Sequence, residues 1–160
     1  KASTGNVEMH MEACDAAVMI SQVVGEYQDK LQAQDIEIVV NEAKNPANIM
    51  ADGRHLWRVF DNIMSNICKY TQEHTRVYVN VEDAGDQVRM IFKNISKYPL
   101  NISSDELMER FVRGDASRNT EGHGLGLSIA SSLTALMDGQ LTIDIDGDLF
   151  KITVAMKKQA

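Results

Sequence analysis

The sequence has little of what marks a secreted, membrane-spanning or nucleic-acid-binding protein. Its 160 residues include two cysteines, Cys14 and Cys68, which lack the spacing of a zinc site or a disulfide framework. We expect both to be free, buried thiols in a reducing compartment. No apolar run approaches the roughly 18 residues of a transmembrane helix, and no signal-peptide pattern opens the chain. The net charge of −7 argues against a face that binds nucleic acid.

Length and composition favour one globular domain. The chain is 44% hydrophobic and 24% charged, which suits a single domain with its own core. We expect residues 1–10 to be the remnant of a connector from an upstream domain, because the chain opens with small, polar residues. Residues 11–158 would then form the domain, and we expect the isolated domain to be a soluble monomer.

The spacing of apolar residues predicts three helices and two hairpins. Apolar residues at every third or fourth position indicate the helices, and strict alternation on both sides of a turn indicates the hairpins. The predicted elements are helices at 11–33, at 52–71 and after Gly126, a strand at 36–40, an extended piece at 47–51, and hairpins at 77–92 and 141–156.

The predicted helix at 52–71 carries polar residues beside its apolar stripe. Asn62, Asn66 and Lys69 fall within about 60° of one another when successive residues are about 100° apart. An amide oxygen can ligate Mg²⁺ and a lysine can meet phosphate oxygens, so this face suits a bound, charged ligand. An ordinary polar helix flank explains these residues equally well.

A glycine-rich stretch, Glu121 to Ala130, leads into the third predicted helix. Glycines immediately before a helix let backbone N–H groups approach a phosphate, and the helix N-terminus adds partial positive charge. Anion binding is therefore one hypothesis, and a glycine-rich hinge is the other. Two familiar phosphate loops are excluded, because there is no G-x-x-x-x-G-K-[ST] pattern and a polar loop, not a strand, precedes the glycines.

Taken together, the motifs resemble the catalytic, ATP-binding domain of sensor histidine kinases. Residues 62–70 resemble the N box of that family, 111–113 the F box, and 122–127 the second glycine box. They occur in the family's order, and the resemblance covers about residues 12–156. It implies an α/β (α+β) two-layer sandwich of the Bergerat type, shared with DNA gyrase, heat-shock protein 90 and MutL proteins. In that fold, a mixed, mainly antiparallel sheet is covered on one face by three helices.

The resemblance implies a site for ATP and Mg²⁺ around the N box. Asn66 would ligate Mg²⁺, Asn62 would support the triphosphate, and Lys69 would contact phosphate oxygens. Tyr70 would line the nucleotide pocket. ATP would lie between this helix and the loop before Gly122.

The resemblance also implies a mobile lid at about 112–121. Phe111 would anchor one end of this lid, and Arg113 or Arg118 would reach the γ-phosphate. The remaining implied nucleotide-binding residues are Asn94, Gly122, Gly124, Leu125, Gly126 and Leu127.

One feature of the family, the first glycine box Asp-x-Gly-x-Gly, is absent. Its place is taken by Asn94-Ile-Ser-Lys-Tyr98. In the family the Asp accepts a hydrogen bond from the adenine amine, whereas the amide of Asn94 is neutral and has two ends. One end accepts, as adenine requires, and the other donates, which would tolerate guanine. Ser96 and Tyr98 also lack glycine's freedom at positive φ, so this loop must take a different path.

These features predict the donor half of a two-component sensor kinase. None of its four histidines has the H-[ED]-x-[RK] setting that marks the family's acceptor helix. We therefore expect the domain to bind Mg-ATP and to donate the γ-phosphate to a histidine on upstream dimerisation helices. The response regulator would be a partner of the full-length kinase. We expect the domain to be cytoplasmic and the full-length protein to be anchored in the bacterial cell membrane.

Two alternatives from other functional classes stand beside this hypothesis. A degenerate nucleotide-binding or scaffold module would bind nucleotide through the altered adenine loop with little turnover. A hydrolase of the gyrase type is disfavoured, because those ATPases carry a Glu four residues before the metal-binding Asn as the general base for water. Asn62 occupies that position here, and a neutral amide does not take the proton.

Overall fold

The computed structural model describes residues 8–43, 47–100 and 123–159. Within these ranges the chain forms three helices and seven strands. In chain order the elements are β1 (Glu12–Asp15), α1 (Ala16–Gln32), β2 (Glu37–Asn41), β3 (Asn48–Ala51), α2 (Gly53–Tyr70), β4 (Arg76–Asp83), β5 (Gln87–Ile95), α3 (His123–Leu136), β6 (Gln140–Asp146) and β7 (Leu149–Lys157).

Five of the strands form one mixed sheet in the order β2-β4-β5-β7-β6. β2 pairs with β4 in parallel, and all other neighbours are antiparallel. The two predicted hairpins are confirmed as β4–β5 and β6–β7, and β5 pairs with β7 at the centre of the sheet. The period of two in the sequence thus identified four of the five strands.

The helices cover one face of this sheet, which confirms the predicted two-layer sandwich. Alternate strand residues point into the core, and the residues between them, such as Tyr78, Arg89 and Lys93, lie on the other face. Helix α2 packs between α1 and α3. The core residues that are at most 1% exposed include Phe60, Met64, Val79, Met90, Phe92, Leu133, Met137, Ile152 and Val154.

The first helix begins at Ala16, so the prediction of helix for residues 11–15 is wrong. Residues 12–15 form β1, which pairs with β3 as a separate two-stranded sheet. The carboxylate of Asp15 then caps α1 by accepting the backbone N–H groups of Ala17 at 3.0 Å and Val18 at 3.2 Å. Pairing with β3 supplies hydrogen bonds that the apolar pattern of a single segment does not reveal.

The third helix begins at His123, earlier than predicted. Gly124 and Gly126 therefore lie inside the helix and not in a loop before it, which corrects the expectation drawn from the glycine-rich stretch. A Cβ built on Gly126 would meet no atom within 4 Å, so nothing in the described structure requires glycine there. Gly122, Phe111, Arg113 and Arg118 lie outside the described residues.

Cys14 and Cys68 are free, as expected, but each is only half-buried. Burial raises the pKa of both thiols; Glu12 and Asp52 raise the pKa of Cys14 further, and Lys30 opposes the shift at Cys68. Among the helices that the structure describes, none combines the length and apolar character needed to cross a bilayer.

Candidate functional site

The site is built on α2, whose first turn is held by Asp52. Oδ1 of this buried carboxylate accepts the backbone N–H groups of Arg54 at 3.0 Å and His55 at 3.2 Å, and Oδ2 accepts the N–H of His10 at 2.8 Å. Burial works against ionisation of Asp52, yet these hydrogen bonds and the nearby His55 hold the pKa of the carboxyl below its usual value. Asp52 is the N-cap of α2, and it fixes where the helix starts.

A second contact fixes α2 against α1 next to the polar face. The hydroxyl of Tyr27 donates to Oδ1 of Asp61 at 2.5 Å. Burial and the Asp61 carboxylate both raise the pKa of Tyr27 well above its usual value, so the phenol stays protonated and remains the donor. Asp61 immediately precedes Asn62, so this bond fixes the helix at the start of the predicted site.

Two side-chain amides on α2 each have one buried atom without a partner among the described residues. Nδ2 of Asn62 and Oδ1 of Asn66 have no hydrogen-bond partner among the described residues. Asn66 is 8% exposed as a whole residue. An unpaired buried polar atom costs about 1–3 kcal/mol, so proteins seldom leave one without a partner such as a ligand, an ion or a water molecule. The two atoms lie one helical turn apart, and one is a donor while the other is an acceptor.

The two unpaired atoms suit the two parts of a metal-bound triphosphate. Oδ1 of Asn66 is a hard oxygen ligand of the kind that Mg²⁺ prefers, and Nδ2 of Asn62 can donate to a phosphate oxygen. Lys69 lies on the same side of α2 and is exposed, so its ammonium is available to an anion. The residues present therefore fit a site for Mg²⁺ and phosphate, and this geometry favours a ligand face over an ordinary polar flank.

The C-terminal end of α2 is joined to β5 and the loop that follows it. The N–H of Gln72 donates to the carbonyl of Ile95 at 2.8 Å, and the N–H of Lys97 donates to the carbonyl of Tyr70 at 2.9 Å. Between these two bonds, residues 71 and 96 form an antiparallel bridge. We call this set of backbone contacts the α2–β5 seam. It places the end of the N-box helix directly beside the predicted base-reading residue, Asn94.

Asn94 forms a side-chain contact across the seam. Its Nδ2 donates to Oγ1 of Thr71 at 3.0 Å. Both residues are buried, at 3% exposure for Asn94 and 0% for Thr71. The sequence predicted Asn94 as a site residue but assigned nothing to Thr71, because a threonine at the end of a helix carries no signal of its partner on a distant strand.

The loop that replaces the first glycine box is held by a serine hydroxyl. Oγ of Ser96 donates to the carbonyl of Tyr98 at 2.7 Å and accepts the N–H of the same residue at 3.1 Å. The N–H of Ser96 donates to the carbonyl of Asp148 at 2.8 Å. Neither Ser96 nor Tyr98 has a positive φ. The ring of Tyr98 lies edge-on to that of Tyr70, with centroids 6.4 Å apart, so the loop closes over the end of α2.

The predicted site residues fall into three groups. The N-box residues lie along α2. Asn94 lies on β5, beside the C-terminal end of that helix. Leu127 is buried in the core at 1% exposure, so only its backbone is available to a ligand. Gly124 and Gly126 lie in α3 with Leu127. The other predicted positions, namely Phe111, Arg113, Arg118 and Gly122 and the side chain of Leu125, lie outside what the structure describes.

A cavity of about 490 Å³ lies beside the seam and is lined by residues of β2 and β4 and by Ile95. Its charged residues already pair with one another: Nδ1 of His74 lies 2.7 Å from Asp35, and Nε of Arg76 lies 3.5 Å from Glu37. These pairs are exposed, and each charged group already has a partner, so none of them requires a ligand. We assign this cavity no role in the site.

Comparisons with known proteins agree with the motifs and the fold. The sequence profile of the family described as histidine kinase-, DNA gyrase B-, and HSP90-like ATPase matches residues 51–159. The probable sensor protein PcoS of Escherichia coli is 34% identical over 112 residues, which cover 68% of this chain and 24% of PcoS. The sensor protein VanS of Enterococcus faecium is 30% identical over 129 residues, covering 79% of this chain and 33% of VanS. The chain thus spans about a quarter to a third of these relatives.

Solved structures show the same fold. The catalytic domain of histidine kinase ThkA superposes with a TM-score of 0.82 at 20% identity, covering 94% of this chain and 97% of that one. Full-length ShkA in complex with AMPPNP superposes with a TM-score of 0.81 at 22% identity, covering 99% of this chain and 33% of that one. Motifs, fold and relatives agree, and the chain belongs to the histidine kinase-, DNA gyrase B- and HSP90-like ATPase family, within which it is the catalytic, ATP-binding domain of a sensor histidine kinase.

Proposed function

We propose that this domain binds Mg-ATP and donates the γ-phosphate to a histidine on a separate dimerisation domain, as the donor half of a two-component sensor kinase. The observation that carries this proposal is the pair of unpaired amide atoms on α2, Nδ2 of Asn62 and Oδ1 of Asn66. One requires an acceptor and the other a donor or a cation. Phosphate oxygens and Mg²⁺ meet these two demands together.

Three polar residues of α2 would then hold the triphosphate. Oδ1 of Asn66 would ligate the metal ion, and Nδ2 of Asn62 would donate to a phosphate oxygen. The exposed Lys69 neutralises further negative charge. Mg²⁺ would supply positive charge that neutralises the triphosphate, including the charge that develops during transfer. The cap at Asp52 and the bond from Tyr27 to Asp61 hold the helix that carries these side chains. Positioning the triphosphate in this way is the main contribution that a donor domain makes to phosphoryl transfer.

The transfer itself requires a nucleophile from outside this chain. A nitrogen of the acceptor imidazole attacks the γ-phosphorus and forms an N–P bond, while the bond from that phosphorus to the bridging oxygen breaks and ADP leaves. The imidazole proton passes to a base on the acceptor helix. Arg113 and Arg118 of the predicted lid would neutralise the γ-phosphate during this step. Water is a poor competitor, because Asn62 stands where a general base would be needed.

Two measurements test this proposal. The first is titration of the domain with ATP, with and without Mg²⁺, in which we expect binding that depends on the metal. The second is incubation with γ-labelled ATP, with and without the upstream helices of the same protein. We expect no label on the domain alone and label on a histidine of the upstream helices. Binding without transfer would favour the degenerate module, and label on the isolated domain would contradict the absence of an acceptor.

A further inference from the structure

We propose that Tyr98 is a nucleotide-binding residue whose ring packs against the base of the nucleoside triphosphate. This inference rests on the proposed function, since it takes a nucleotide to lie along α2. It concerns a residue that the resemblance does not assign to the site, because Tyr98 stands where the first glycine box has its second glycine. A ring at this position adds contact with the face of the base, which differs from the contact with its edge that is proposed for Asn94.

The loop that carries Tyr98 is fixed to the end of α2. Oγ of Ser96 donates to the carbonyl of Tyr98 at 2.7 Å and accepts the N–H of the same residue at 3.1 Å. The N–H of the intervening Lys97 donates to the carbonyl of Tyr70 at 2.9 Å. These bonds hold the backbone of Tyr98 before a ligand arrives. A side chain presented in this way loses less conformational entropy on binding than one on an unrestrained loop.

The side chain of Tyr98 remains accessible on this fixed loop. Tyr98 is 58% exposed, the highest value among the large hydrophobic side chains that the structure describes. Its ring lies edge-on to that of Tyr70, with the centroids 6.4 Å apart and the planes inclined by 60°. An edge-to-face pair leaves part of the ring surface uncovered, and a further aromatic group can stack there. The two tyrosines therefore form an accessible aromatic surface.

Helical spacing places this aromatic surface in line with the proposed metal and phosphate contacts. Asn62, Asn66 and Tyr70 follow one another at intervals of four residues, so they lie on one side of α2 at successive turns. At 1.5 Å per residue, the first and last of them are about 12 Å apart along the helix axis. Asn94 lies at the same end of α2 as the two tyrosines. A nucleotide held by its phosphates at the asparagines, with the edge of its base at Asn94, therefore brings its base to the ring of Tyr98.

The test compares three probes in wild type, Tyr98→Ala and Tyr98→Phe, namely the Mg²⁺ complexes of ATP, GTP and inorganic tripolyphosphate. Tripolyphosphate offers the phosphates without a base. We expect Tyr98→Ala to weaken binding of both nucleotides at least about fivefold, because stacking on an aromatic ring tolerates either base. Binding of tripolyphosphate should stay unchanged. Phenylalanine keeps the ring, so we expect Tyr98→Phe to bind all three probes as wild type does.

Tyr78→Ala is the matched control, because Tyr78 is a half-buried tyrosine on the other face of the sheet. We expect it to leave the affinity for each probe unchanged. A purely structural role for Tyr98 has a different signature. A displaced end of α2 would disturb the phosphate contacts as well, so Tyr98→Ala would then weaken tripolyphosphate as much as ATP. That result would overturn the inference.

The outcomes separate this inference from the proposed function. Failure of wild type to bind Mg-ATP would contradict the proposed function. Binding of Mg-ATP by Tyr98→Ala with the affinity of wild type would leave that function intact and overturn the role of Tyr98. Nuclear Overhauser contacts in wild type give a second measurement, which needs neither a folded variant nor tripolyphosphate binding. Contacts between the ring protons of Tyr98 and the base protons of bound ATP are expected, and their absence would also overturn the inference.

Discussion

The backbone N–H of His10 donates a 2.8 Å hydrogen bond to Oδ2 of Asp52, while Oδ1 of the same carboxylate caps α2. A single side chain thus joins the segment that precedes β1 to the helix that carries Asn62 and Asn66. The carboxylate is buried, and its pKa is lowered by these hydrogen bonds in spite of that burial. The start of the helix that carries the candidate site is therefore held by a buried, ionised carboxylate.

We expect Asp52→Asn to reduce the acid sensitivity of the fold. Because the pKa of Asp52 is lower in the folded state than the ordinary value of 3.8, its charge stabilises the fold above that pH, and this contribution is lost as the pH falls below it. Asparagine caps a helix about as well but does not titrate. Urea unfolding at neutral pH and near pH 3 measures the change. An acid dependence equal to that of wild type would contradict the role of Asp52.

We expect Asn66→Ala to remove the metal-dependent part of ATP binding. The substitution takes away an oxygen ligand in a partly enclosed site, which water replaces poorly, so Mg-ATP affinity should fall at least about tenfold. Calorimetric titration with and without Mg²⁺ measures the difference. Asn41→Ala is a suitable control, because Asn41 makes its 2.9 Å bond to Asn80 on the exposed face of the sheet. Titration of Asn66→Ala that matches wild type would remove Asn66 from the metal site.

We expect Asn66→Leu to stabilise the nucleotide-free domain while it abolishes Mg-ATP binding. Oδ1 of Asn66 is buried without a partner among the described residues, so an apolar side chain of similar size should gain about 1 kcal/mol. This corresponds to a rise of roughly 2–4 °C in melting temperature for a chain of this size. Thermal unfolding without nucleotide is the measurement. A lower melting temperature would indicate that Asn66 has a structural partner.

We expect Asn94→Asp to tighten ATP binding and to penalise GTP. A carboxylate accepts a charge-assisted hydrogen bond where the amide offers a neutral one, a difference of about 1 kcal/mol or five- to tenfold in affinity. The Thr71 hydroxyl can donate to the new carboxylate, so the buried contact survives. Competition between ATP and GTP measures the effect. Identical preferences in wild type and Asn94→Asp would show that residue 94 does not face the base.

We expect Arg113→Ala and Arg118→Ala to impair transfer more than binding. Both residues belong to the predicted lid, which must close on the acceptor helices as well as on the γ-phosphate. A charge that acts mainly during transfer changes the rate and leaves the affinity for the nucleotide nearly unchanged. Single-turnover transfer and equilibrium titration on the same variants separate the two effects. Equal losses in both would place these arginines in the ground-state nucleotide site.

The sequence predicted those parts of the fold that rest on local signals. Alternation of apolar residues marked the β4–β5 and β6–β7 hairpins, and Asp52 followed by an apolar stripe marked α2. The start of α1 was missed because β1 forms through pairing with β3, a partner more than 30 residues away. The start of α3 was missed because glycine is a weak helix former and its local preference was overridden by the rest of the helix.

The candidate site also combines residues that local sequence signals predict with a contact that they do not predict. Asn62, Asn66 and Lys69 share one helix, so their proximity followed from helical spacing alone. The contact between Asn94 and Thr71 joins a strand to the end of a helix, and no pattern within either segment points to the other. Such a contact depends on the packing of the whole domain, so the partner of Asn94 was found only in the structure.

The α2–β5 seam is held by backbone atoms. Its bonds at Gln72 and Lys97 run between backbone atoms, so they persist when the side chains around them change. The proposed contact with the base lies instead in the side chain at position 94, which bonds Thr71 across the seam. Positions 71 and 94 can therefore be varied together, in search of a kinase that uses a non-natural purine triphosphate, while the scaffold and the proposed metal and phosphate contacts are kept.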